Sequence, residues 1–110
     1  MNEDQTERIR SLNDRFRKTG FSGQILITQG IQALGESQVG EVMRAVMEFD
    51  DFTEGNDPHG EHDFGSFESA GQTVFWKIDY YNCDLDGGSP DPADEAVTRR
   101  VLTVMLASEY

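Results

Sequence analysis

The stretch "DFGSFESAGQTVFWKIDYY", residues 63–81, constrains the fold more than any other part of the chain. Two runs rich in aromatic and β-branched residues flank Ala70-Gly71, a short turn signal, and together they read as a β-hairpin. A two-residue loop pairs Ser69 with Gln72 and so sets the whole register. Phe67 then faces Val74, Gly65 faces Trp76, Phe64 faces Lys77, Asp63 faces Ile78 and His62 faces Asp79. A residue without a side chain opposite the indole leaves room for it. Val74, Trp76, Ile78 and Tyr80 share one strand face, which is assigned to the core. A three-residue loop would shift this pairing.

Around the hairpin the pattern is helical, apart from one strand. Ile9, Leu12 and Phe16 recur at i, i+3 and i+7, which predicts a helix from about Thr6 to Lys18 with Gly20 as its stop. "QILIT", Gln24 to Thr28, reads as a short buried strand, and Gly30 turns the chain after it. Ser37 is the expected cap of a second helix carrying Val39, Val42, Met43, Val46 and Phe49. A third helix is expected in "SPDPADEAVTRRVLTVMLASEY". There Asp91 can cap, Pro92 sits at the first helical position, and Asp94 and Glu95 meet the positive helix end. Val97, Val101, Val104 and Met105 would form its stripe, widened by Leu102 and Leu106, with Arg99 and Arg100 outside it. The expected fold is α+β, a small antiparallel sheet with about three helices packed on it, in one domain over residues 1–110.

Charge is distributed unevenly. Residues 1–44 hold six acids and six bases, whereas residues 48–95 hold fourteen acids and one base, Lys77. The whole chain carries −12. Such a field repels nucleic acid and membrane surfaces and attracts basic partners in a salt-dependent way. No apolar run approaches the roughly 20 residues of a membrane span, the start "MNEDQTERIR" has no leader pattern, and a lone Cys83 fits a reducing compartment. The expectation is a cytoplasmic protein, monomeric or dimeric.

The densest chemistry lies in "NDPHGEHDFG", residues 56–65. Asn56, Asp57, Pro58 and Gly60 are turn formers, so the segment reads first as a turn that leads into a strand. A metal reading takes His59, His62 and Asp63 as ligands, joined by Glu61. Yet Pro58 and Gly60 disfavour the helix on which two histidines would share a face. A catalytic reading joins His62 to Asp79 across the strands beside Lys77, as a histidine oriented by a carboxylate for general-base work. That constellation lacks a nucleophile, since Ser66 and Ser69 carry no motif. "DLDGGSPDPAD", from Asp84, looks partly like a calcium loop, but Pro90 and Pro92 break its geometry.

These observations favour binding over catalysis and imply no cofactor. Dense carboxylates on one side of a small rigid protein can occupy the cationic groove of a nucleic-acid-binding protein. Asp50, Asp51, Glu54, Asp57, Glu61, Asp84 and Asp86 are the candidate partner-binding residues, with nearby aromatics as apolar anchors. The expected partner is a basic nucleic-acid-binding protein or complex, not nucleic acid itself and not a membrane.

"NDPHGEHDFG", "WKIDYYN" and "SPDPADEAVTRRVLTVMLASEY" resemble an uncharacterised bacterial family of small proteins, domain of unknown function 3768, from about Leu12 to the C-terminus. The family's members look similar to cargo of mobile genetic elements. The resemblance therefore implies an inhibitor of bacterial defence, of anti-restriction or anti-CRISPR type. Many of its relatives carry tyrosine at the position of His59, a departure that weighs against a two-histidine metal site and draws attention to His62.

Overall fold

The computed structural model describes residues 3–110. Helix α1 (Glu3–Thr19) opens on Glu3 and Asp4 and closes on Arg17 and Lys18, charges that match its dipole at both ends. Its buried side is Ile9, Leu12, Asn13, Phe16 and Arg17, so two polar residues lie within the apolar stripe. As expected from the sequence, the chain leaves the helix at Gly20, whose N–H donates to the Phe16 carbonyl at 2.7 Å. Strand β1 (Gly23–Ile27) follows, then one turn of helix, α2 (Gln29–Gln32), which takes in Gly30. Helix α3 (Glu36–Glu48) starts after Gly35 rather than at a Ser37 cap, and buries Val42 and Val46.

The hairpin forms as read. Strand β2 (Phe64–Ser69) pairs with β3 (Gln72–Tyr81) in the register that puts Gly65 opposite Trp76 and Phe67 opposite Val74. Ala70 and Gly71 both take positive φ, 52° and 75°, the backbone of a two-residue turn whose twist matches the strands. A Cβ on Gly65 would lie 2.2 Å from the Trp76 indole nitrogen, so the glycine is required by contact.

The third expected helix is a strand. Asp91 and Asp94 do cap amides, those of Ala93 and Ala96, but in tight turns that end in a 3-10 turn over Glu95–Val97. Strand β4 (Arg99–Leu106) comes next and pairs on both sides. Sheet order is β1-β4-β3-β2, with β4 antiparallel to β3 and parallel to β1. A central strand is buried on both faces, so its apolar residues run almost continuously instead of alternating. "VLTVML" is such a run, and its valines suit a strand as well as a helix stripe. Arg100 is also buried here, 3% exposed, contrary to the position outside the stripe expected for it.

The α+β architecture holds, with a parallel edge added to the antiparallel sheet by β1. That edge position explains why "QILIT" is not buried: Ile25 is 37% and Leu26 52% exposed, because β1 has a neighbour on one side only. The core lies between one sheet face and the helices. Phe16, Ile31, Val42 and Val46 meet Val74, Trp76, Ile78, Leu102 and Val104. Among the described residues no helix is long and apolar enough to cross a membrane.

Candidate functional site

Strand register brings the acidic segments together. β2 begins, β3 ends and β4 begins at one end of the sheet, since Phe64 pairs with Lys77 and Tyr81 with Arg99. The chain therefore enters β2 from residues 49–63, and runs from β3 to β4 through residues 82–98, at that same end.

Helix α1 anchors the first of these segments through its polar side chains. Arg10 Nη1 donates to the Gly60 carbonyl at 3.0 Å. Asn13 Nδ2 donates to the Glu61 carbonyl at 3.0 Å and to the Tyr80 hydroxyl at 2.8 Å, and Tyr80 in turn donates to Glu61 Oε1 at 2.7 Å. Arg17 Nη1 donates to the Val46 and Met47 carbonyls at 2.7 and 3.2 Å, which closes the end of α3. Its guanidinium also lies over the rings of Phe52 and Trp76. From β4, Arg100 donates to Asn13 Oδ1 at 2.6 Å and to the Pro92 carbonyl at 2.5 Å. Burial lowers the pKa of both Arg17 and Arg100, and burial together with the Glu61 hydrogen bond drives the Tyr80 phenol far above its ordinary range.

His62 belongs to this joint and not to the hairpin. Its backbone takes φ 55°, which turns the ring away from β3 and onto α1. Nδ1 lies 2.9 Å from Asp14 Oδ1, Nε2 lies 3.6 Å from Asp57 Oδ2, and the ring stacks on Phe52 at 3.7 Å. The expected pair with Asp79 is absent because Asp79 faces Lys77 instead, at 2.8 Å, and that contact raises the lysine pKa. So His62, Asp79 and Lys77 do not form one constellation. The metal reading fails on geometry as well. His59 is exposed on the turn while His62 points inward, and among the described residues no three His, Cys, Asp or Glu side chains gather to hold an ion. Asp63 is half-buried, and that burial, reinforced by Glu61, raises its pKa.

The seven candidate carboxylates divide into two groups. Asp57 is buried and accepts from the His62 N–H at 3.1 Å, and Glu61 accepts from Tyr80, so both serve the joint and are withdrawn from the surface set. Asp50, Asp51 and Glu54 are exposed on a turn held by Asn56. Its Oδ1 accepts from the Thr53 N–H at 2.8 Å, and its Nδ2 donates to the Asp51 carbonyl at 2.9 Å. Asp84 and Asp86 are exposed on the β3–β4 connection. There Asn82 Nδ2 donates to Asp86 Oδ1 at 2.7 Å, an asparagine-centred turn in place of a calcium loop.

Sequence reasoning missed Asn13, Arg17, Arg100 and Tyr80. One signal was available for the first two: they fall four apart within the Ile9, Leu12 and Phe16 stripe, where a polar residue needs a buried partner.

Residues 27–109 match the profile of a protein family of unknown function, DUF3768. No curated protein and no solved structure matches the chain.

Proposed function

The chain belongs to that family, and from this premise we propose that it is a non-enzymatic binding protein whose acidic loops imitate nucleic acid towards a basic bacterial defence protein. One observation carries the reading. Arg10 and Arg100 donate to backbone carbonyls of the acidic segments and Arg17 to those at the end of α3, so these three brace the loops. Among the described residues, the direct ion pairs to the segments, Arg15–Glu95 and Lys77–Asp79, leave the candidate surface carboxylates unpaired. Asp50, Asp51, Glu54 and Asp84 are left facing water on connections that leave the same end of the sheet. Nucleic acid offers a partner about one charge per 1.7 Å, and braced carboxylates can occupy the same groove without ordering a flexible tail first. The anti-restriction or anti-CRISPR setting is the finer part of the proposal, and it rests on charge and on the family resemblance.

The test is capture of a partner from bacterial lysate on the immobilised protein, followed by release with duplex DNA. Capture should weaken about tenfold or more between 50 and 200 mM salt. Lysine replacements at Asp50, Asp51 and Glu54 should weaken it cumulatively. A partner held equally at both salt concentrations, indifferent to these replacements and not displaced by DNA, would overturn the reading.

A further inference from the structure

Strand β1 ends the sheet on one side, with β4 along its inner edge and, among the described residues, no strand along its outer one. The Thr28 N–H donates to the Val104 carbonyl at 3.1 Å. In a parallel ladder alternate residues bond to the same neighbour, so Gln24, Leu26 and Thr28 turn to β4, and Gly23, Ile25 and Ile27 present their N–H and C=O groups outward. Both ends of that outer edge are occupied. Gln32 Nε2 donates to the Ile27 carbonyl at 2.7 Å, and the Phe21 N–H donates to Thr19 Oγ1 at 3.2 Å. Between them, among the described residues, no hydrogen bond reaches the outward groups of Gly23 and Ile25. Edge strands are ordinarily protected by a charge, a proline or a bulge. "GQILI" has none of these, whereas β2 at the opposite edge carries Glu68. Phe21, Ile25 and Leu26 are exposed beside the open stretch.

The charge pattern says what fits there. Residues 19–35 are the longest uncharged run of the chain, in a protein of net charge −12. A charged partner finds nothing to pair with along this run, but a second copy of the same acidic protein can approach it without bringing carboxylates together. Strand direction favours the same occupant. β1 is parallel to β4 and so starts at the acidic end of the sheet. Antiparallel pairing of two β1 strands therefore carries the second copy's acidic end to the opposite pole.

We propose that two copies of the chain join their β1 edges antiparallel, about a two-fold axis at Gln24, into one continuous sheet. Gly23 and Ile25 of each copy exchange N–H···O bonds with Ile25 and Gly23 of the other, and the Gln32 cap on Ile27 stays in place. Ile25 and Ile27 register with the core residues Leu102 and Val104, so Gln24 lies on the face away from the helices. There it meets Gln24 of the second copy directly across the axis. The contact is separate from the acidic loops and requires no other protein, so it stands or falls independently of the mimicry reading.

The experiment is sedimentation of the isolated protein over a range of concentrations, with amide hydrogen exchange at the two extremes. Dimers should form with a dissociation constant below about 1 mM, and the Gly23 and Ile25 amides should exchange more slowly at high protein concentration than at low. Raising salt from about 50 to 500 mM should strengthen the dimer, because it screens the repulsion between two acidic copies. Gln24→Lys and Gln24→Glu each set like charges opposite one another across the axis, so each alone should weaken dimerisation by about tenfold. An equimolar mixture of the two variants should restore it, an outcome that only this register produces. Circular dichroism checks that both variants remain folded. A chain that stays monomeric at about 1 mM would leave the edge to some other protein's strand and overturn the proposal. So would a dimer that loosens with salt, or a mixture of the variants that dimerises no better than either alone.

Discussion

At Asp63, burial, and after it the neighbouring carboxylate of Glu61, lifts the carboxyl above its ordinary range. In the window between the ordinary and the raised value, the folded protein keeps a proton that the unfolded chain has lost. Stability therefore falls as pH rises through that window, and the loss persists at neutral pH. Asp63→Asn keeps the shape of the side chain and removes the charge. It should raise the melting temperature at neutral pH, with the gain disappearing below about pH 3.9, where the unfolded carboxyl is protonated as well. Thermal melts of both proteins at neutral and acid pH check this, and a variant less stable at neutral pH would show that the ionised form is held by partners. The residue-scale lesson of His62 differs. Its neighbours in sequence point to a strand partner, yet a positive φ redirects the ring to Asp14, forty-eight positions earlier.

At the scale of elements, the docking of α1 on α3 depends on Arg17. The side chain is 1% exposed, caps the Val46 and Met47 carbonyls and fills the space beside Phe52 and Trp76. Burying its charge is costly, as the lowered pKa records, but truncation leaves both a cavity and unsatisfied carbonyls, and these losses outweigh the relief. Arg17→Ala should cost on the order of 3 kcal/mol in urea unfolding. A loss below about 1 kcal/mol would mean that water replaces the guanidinium without penalty. The elements themselves were unequally legible. The β2–β3 hairpin could be read to the residue because its turn and its Gly65–Trp76 fit are local. β4 could not, because an apolar run flanked by good capping residues satisfies a buried helix and a two-sided strand equally.

For the whole molecule, the balance of charge has a measurable consequence. Fourteen acids lie within residues 48–95, and several of the arginines near them are turned to carbonyls, so repulsion among the carboxylates is left largely unneutralised. The exposed pairs Arg15–Glu95 and Lys77–Asp79 add little against it. Raising the salt from low ionic strength to about 0.5 M should therefore raise the melting temperature by screening that repulsion. A fall in melting temperature would show that attractive pairs dominate instead.

By itself the sequence determined α1, the strand β1, the helix α3, the hairpin with its register, and the charge imbalance, because each depends on spacing or composition within a short window. The tertiary structure decided the rest. It made "VLTVML" a strand by supplying β1 and β3 as neighbours on its two sides, and it left β1 exposed by placing it at the edge. It also turned Asp57 and Glu61 inward and gave Arg100 its contact with Asn13, eighty-seven positions away. A hydrogen-bond partner at that separation leaves no periodic trace along the chain, since it is chosen by how elements pack and not by which residues are adjacent.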